Sequence, residues 1–136
     1  MVCTYCGKNT KVTNSRWQKR ANRVWRRREC LGCRNVITSL EAPDYAVSFS
    51  FRNKTGSLEP FLRDRLFIAV YKSLEHRKTA VADATALTET IMSGLPGCMQ
   101  QGAVARDELT RHATSVLGRF DRAAGVQYQA FHPVKD

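Results

Sequence analysis

Two short stretches decide the reading: Cys3-Thr4-Tyr5-Cys6-Gly7, and Arg26-Arg27-Arg28-Glu29-Cys30-Leu31-Gly32-Cys33. Each holds two cysteines with two residues between them, and 23 residues separate the pairs. This is the spacing of a four-cysteine zinc site, in which one tight turn offers both sulfurs of a pair. Gly7 suits the first turn, because glycine tolerates positive φ. Gly32 lies inside the second pair. The first residues are polar and do not resemble a secretory signal, so a reducing cytoplasm is expected and disulfides are not. Redox pairs ordinarily come singly beside a βαβ pattern, which is absent. An iron–sulfur cluster stays open as the alternative to zinc. The expectation is one structural zinc per chain, held by Cys3, Cys6, Cys30 and Cys33. A segment this short, with few apolar side chains, cannot bury a core, so the metal must hold its fold. Cys98 reads as an ordinary buried or half-buried thiol.

Charge is concentrated around the cysteines. The 136-residue chain has a net charge of +10. Residues 1–34 carry ten Lys or Arg and one acid, Glu29, a net +9; the remainder carries twelve basic and eleven acidic residues, a net +1. Such a segment attracts polyanions. Lys11, Thr13, Val24 and Trp25 fall where short strands are expected, with Gln18–Asn22 as their connection. The pattern is a zinc ribbon, two knuckles gripping a small antiparallel sheet. Arg, Asn, Ser and Trp side chains on it can meet phosphates, base edges and exposed bases. Trp17 and Trp25 serve either ribbon packing or stacking on nucleic acid, and packing is favoured for at least one. The longest apolar run, Leu66–Val70, is far below the roughly 20 residues of a membrane span.

A linker is expected over Glu41–Tyr45. Beyond it, Tyr45, Val47, Phe49 and Phe51 alternate with small residues, a period of two that predicts a half-buried strand. Asn53–Gly56 is a turn, and Ser57–Phe61 returns as a second strand or leads into a helix. Leu62, Leu66, Val70 and Leu74, with Phe67 beside them, predict an amphipathic helix over 61–77. A second begins near Thr79, carries Leu87, Ile91 and Leu95, and stops at Gly94-Leu95-Pro96-Gly97. A third runs from about Ala105 with Asp107 and Glu108 in its first turn. A short last helix ends near Pro133. Read by residues alone, this half is a small α-rich domain fit for dimerisation.

Taken together, the two halves resemble the NrdR family, bacterial repressors of ribonucleotide reductase genes. The Cys3–Gly7 knuckle, the Asn14-Ser15-Arg16 triplet and the run Arg26–Cys33 match that family's ribbon, and Ile37–Glu41 is similar to its Phe-Thr-Thr-Tyr-Glu stretch. Gly56, Glu59, Pro60 and Phe61, with Arg65-Leu66, are similar to the turn and helix start of its ATP-cone. The family places two basic residues before that turn; here Asn53, Lys54 and Thr55 fall there, with Arg52 as a possible substitute. The resemblance implies an α+β chain: a zinc-ribbon DNA-binding domain over 1–42, then a mostly helical ATP-cone with a β-hairpin over 43–136. It implies DNA contacts from Ser15, Arg16, Arg26, Arg27 and Arg28. Nucleotide contacts are expected from Arg52, Lys54, Arg65, Lys72 and Arg77. ATP or dATP would be the effector, double-stranded operator repeats and a homo-oligomer the partners, and the bacterial cytoplasm, on the nucleoid, the location. The alternative is a nucleic-acid-binding ribbon whose helical half docks a protein without sensing nucleotide. Catalysis is not expected: Walker-type and HExxH motifs are absent, a four-cysteine zinc has no open position, and His76, His112 and His132 are scattered.

Overall fold

The computed structural model describes residues 1–134. It forms two compact units, Met1–Pro43 and Asp44–Asp136.

The first unit is an antiparallel three-stranded sheet in the order β1 (Thr10–Gln18), β2 (Arg23–Cys30), β3 (Val36–Glu41). The first two strands are those expected from sequence. The third was not, although Val36 and Ile37 are β-branched. A single 3₁₀ turn over Lys19–Ala21 joins β1 to β2, and Asn22 closes it at φ 45°. A bulge at Thr13 interrupts the β1–β2 register between Val12 and Asn14, and the Thr13 hydroxyl donates to the Arg27 carbonyl at 3.2 Å. No helix packs over the sheet among the described residues of this unit. Among the described residues of this unit, the buried apolar side chains are Cys3 and Cys30.

The second unit begins differently from the expected strand over 45–51. Tyr45–Ser48 is a helical turn, α1, and only Ser50–Arg52 is extended, as β4. The Asp44 carboxylate accepts the Val47 N–H at 3.2 Å, an N-cap that starts the turn. Tyr45 and Phe49 then sit one turn apart with rings stacked at 5.4 Å, while Val47 is 84% exposed. The alternation of apolar residues was thus a helical i, i+4 pair joined to a short strand. Asn53–Gly56 turns the chain into β5 (Leu58–Pro60). Next come α2 (Arg63–Leu74) and α3 (Ala80–Ser93), then a 3₁₀ turn over Leu95–Cys98. Strands β6 (Met99–Gln100) and β7 (Ala103–Ala105), unforeseen from sequence, lead to α4 (Arg106–Phe120) and α5 (Arg122–Phe131). The second sheet has the order β5-β4-β7-β6. Strand β7 lies parallel to β4, with Ser50 opposite Ala103 and Arg52 opposite Ala105.

The core of this unit is continuous: Leu66, Val70 and Leu74 from α2, Ala84 and Ile91 from α3, Leu109, Ala113 and Leu117 from α4, and Tyr128 from α5. Leu62, expected at the head of the α2 stripe, instead caps the helix and is exposed. The helix ends are tied by charge. Asp121 accepts from the Ala124 N–H as the N-cap of α5. It also meets His76 Nε2 at 2.9 Å and Arg77 Nη1 at 3.1 Å. The His76 hydrogen bond is the largest cause holding its carboxyl down at about 2. Helices α4 and α5 approach closely at two glycines. A Cβ on Gly125 would lie 2.7 Å from Gly118 Cα and 2.9 Å from Gly118 N. These are backbone atoms, which cannot swing aside. Gly125→Ala is therefore expected to destabilise the helical unit by about 1–3 kcal/mol, as overpacking does. Thermal melts of the full chain check this, and an unchanged midpoint would refute the close-contact account.

Candidate zinc centre, nucleic-acid face and nucleotide pocket

The two knuckles are built alike. The Cys3 N–H donates to the Lys8 carbonyl at 2.8 Å, and the Cys30 N–H to the Asn35 carbonyl at 2.9 Å, five residues on in each case. The residue after each second cysteine is left-handed: Gly7 at φ 73° and Arg34 at φ 63°. The first position has the glycine that conformation favours, and the second holds arginine against its preference. The four sulfurs lie within 4.8 Å of one another, with Cys3 to Cys33 at 3.7 Å and Cys6 to Cys30 at 3.4 Å. Tetrahedral zinc with sulfur at about 2.3 Å puts sulfurs roughly 3.8 Å apart, so the cluster fits the ion.

Amide donors already face the sulfurs. Cys30 accepts from the N–H groups of Gly32 and Cys33, Cys3 from that of Tyr5, and Cys33 from the Asn35 amide. The Cys33 N–H is the largest cause pulling the Cys30 thiol down to about 6. Such donors favour the thiolate that zinc requires. When bound, the ion would supply cross-linking and no chemistry, since four sulfurs fill its coordination.

The strand register sorts the candidate DNA residues onto two faces, because residues directly opposite in a sheet share a face. Arg26 lies opposite Ser15 and Ser39, Arg28 opposite Val12 and Ile37, and Trp17 opposite Val24. On the other face Arg27 lies opposite Asn14 and Thr38, and Arg16 opposite Trp25. The faces differ in how their cations are used. Arg26 Nη2 pairs with Glu41 at 2.8 Å, and Arg28 Nε donates to Ser39 at 2.9 Å. Arg16 and Arg27 are exposed and have no ionic or hydrogen-bonding partner among the described residues. Asn14 and Trp25 lie beside them; Asn14 stood in the matched triplet without being expected as a contact, and Trp25 is one of the two tryptophans that the sequence left between packing and stacking. Trp25 is half-buried and Trp17 is 67% exposed.

The five cations expected at a nucleotide do not converge. Arg52 and Lys54 line a cavity of about 390 Å³, together with Gln100, Arg106 and Arg111 and the carboxylates Asp107 and Glu108, which pair with Arg106 and Arg111. That volume is within the roughly 300–1,000 Å³ of small-molecule sites. Arg106 is the member that sequence reasoning missed. Its side chain is only 13% exposed; Nη1 donates to Asp107 and to the Pro133 carbonyl, and Nη2 is buried with no partner among the described residues. It opens α4, where the helix dipole also favours an anion. Arg65 pairs with Glu59 at 2.9 Å and lines a neighbouring, more apolar cavity of about 200 Å³ with Phe51, Phe61, Leu109 and Tyr128. Arg106 borders both cavities. Lys72 lies away from Arg52 and Lys54, in a groove between α2 and α5 that Arg65 also lines. Arg77 is spent elsewhere, on Asp83, Asp121 and the face of Phe120. It is a clamp between helix ends, a role its place on the α2 flank did not reveal.

A four-sulfur cluster gripping a basic three-stranded sheet defines a zinc-ribbon protein. The family model described as "Transcriptional repressor NrdR-like, N-terminal domain" matches residues 1–41. A transcriptional repressor NrdR from Symbiobacterium thermophilum is 34% identical over 117 residues, spanning 86% of this chain and 71% of that protein. One from Tropheryma whipplei is 27% identical over 141 residues, spanning 100% of this chain and 92% of that protein. The chain belongs to the NrdR family of transcriptional repressors, a regulatory class rather than a catalytic one. Among the described residues, no helix is long and apolar enough to cross a membrane.

Two measurements test the ribbon. Cys30→Ser is expected to abolish stoichiometric zinc and unfold the ribbon while the second unit keeps its helical signal, because structural zinc supplies on the order of 10 kcal/mol. Elemental analysis with circular dichroism reads both; iron in place of zinc, or a folded ribbon without metal, would overturn it. In DNA titrations, Arg27→Ala is expected to weaken duplex binding about tenfold and lower the salt slope by about one. Arg26→Ala, already tied to Glu41, is expected to lose about threefold or less. Equal losses would erase the distinction between the faces.

Proposed function

We propose that this chain is a nucleotide-responsive repressor of ribonucleotide reductase genes. The ribbon, residues 1–42, binds double-stranded operator repeats. Residues 43–136 form an ATP-cone that binds ATP or dATP, and the nucleotide sets the oligomeric state and so the occupancy of the operator on the bacterial nucleoid. Arg16 and Arg27 make the leading phosphate or base-edge contacts, with Ser15, Arg26 and Arg28 on the reverse face in a supporting place.

The observation that carries the nucleotide reading is the cavity shared by Arg52, Lys54 and Arg106, with its unpartnered guanidinium nitrogen. A buried donor without an acceptor is costly, and a triphosphate oxygen satisfies it. The adjoining apolar cavity beside Phe51, Phe61 and Tyr128 offers a place for a base, with Arg65 at its rim. Lys72 and Arg77 have weaker standing as ligands, given where they lie.

A nucleotide shifts an assembly only by its difference in affinity between states. Lys54→Ala is therefore expected to weaken ATP and dATP about tenfold each by calorimetry, and to blunt the size difference between the two nucleotide states on a sizing column. A wild-type chain that binds neither nucleotide and keeps one size would overturn the sensing reading and leave a ribbon that docks a partner.

A further inference from the structure

We propose that the ribbon carries a second nucleic-acid site, for an unpaired base, at the β1–β2 hairpin end on the face opposite Arg16 and Arg27. It rests on the reading of the ribbon as a nucleic-acid binder. Trp17 is the centre of this site. It leaves 67% of its surface in water, and its cross-strand neighbour is the half-buried Val24. Beside it lies a cleft of about 280 Å³, bounded by Asn22, Val24, Glu41, Ala42 and Pro43. That is below the size usual for whole small-molecule ligands, and suits a single ring system.

Charge selects the occupant. Lys19 and Arg20, at the hairpin turn, are exposed and have no carboxylate partner among the described residues. The one carboxylate at the cleft, Glu41, is engaged by Arg26 at 2.8 Å. The site thus combines a bare indole, a ring-sized cleft and free cations a few residues away. A strand with a flat ring on an anionic backbone satisfies all three, and base–aromatic stacking is indifferent to sequence. Asn22, the left-handed residue that closes the turn, lines the cleft and offers an amide to a base edge. A paired duplex cannot present a ring face here, because its bases are stacked on one another. The site therefore distinguishes DNA with an unpaired or displaced base from fully paired DNA.

The test uses the zinc-loaded full chain. Trp25→Phe leaves Trp17 as the sole tryptophan. Its fluorescence is expected to be quenched by a twelve-residue oligothymidylate. Trp17→Leu, which keeps an apolar side chain over Val24, is expected to weaken oligothymidylate binding about tenfold while leaving duplex binding within twofold. Trp17→Phe should keep most of the single-strand affinity. Zinc content of one per chain in each variant shows that the ribbon is intact. Absent quenching, or a Trp17→Leu loss under twofold, would overturn the site while duplex binding through Arg27 stood. Loss of both duplex and single-strand binding in the wild type would instead overturn the parent reading along with this one. Equal quenching by polyglutamate would reassign the hairpin end to an acidic protein.

Discussion

The first unit depends on one interaction, the drawing together of four sulfurs from two knuckles. Its buried apolar side chains are two of those same cysteines. A three-stranded sheet with no helix of its own unit packed on it has no hydrophobic reason to persist at this size. Backbone pairing alone contributes little net stability, since water offers the same hydrogen bonds to the open chain. The metal cluster replaces the missing core, and in doing so frees the sheet's surface from packing duty. That freedom permits arginine at positions where an ordinary sheet would hold valine or leucine.

The surface so released is not uniform. Pairing with Glu41 and Ser39 holds Arg26 and Arg28 down on their face, and leaves Arg16 and Arg27 standing out from the other. A run of three consecutive arginines is therefore divided in role by the pleat. In the second unit, burial and partnership again sort similar residues. Arg106 is nearly buried with a donor unmet, Arg65 is exposed and paired with Glu59, and Arg77 is locked into a helix-end clamp. Charge type is read from sequence, whereas availability is set by neighbours.

Much of the fold was legible. The cysteine spacing dictates the knuckles, and four-residue apolar spacing places the helices within a few positions. What failed did so for identifiable reasons. Over 45–51, helical and extended periodicities coincide, because Tyr45 and Phe49 satisfy both; the Asp44 cap decides for the helix. Strands β6 and β7 are two and three residues long, too short to show a period. Arg106 and Arg111 could not be linked to Arg52 from sequence. Only the pairing of β4 with β7 places the start of α4 beside the hairpin, and nothing local in either segment announces it. Asp107 and Glu108 in the first turn of α4 mark a helix start, whereas the arginine that opens it carries no such signal.

The parallel pairing of β4 with β7 has a consequence for how the chain assembles. Ser50 must wait for Ala103, more than fifty residues downstream. Closing so long a loop is entropically slow compared with forming the helices between them. A chain emerging from the ribosome can close its metal cluster once residue 33 is free, and its ribbon soon after. The hairpin that bears Arg52 and Lys54 stays without its neighbouring strand until most of the second unit has been made. The two halves are thus expected to mature at different times, the metal-held one first, so that the nascent chain carries a finished ribbon well before the sheet beside the Arg52–Arg106 cavity exists.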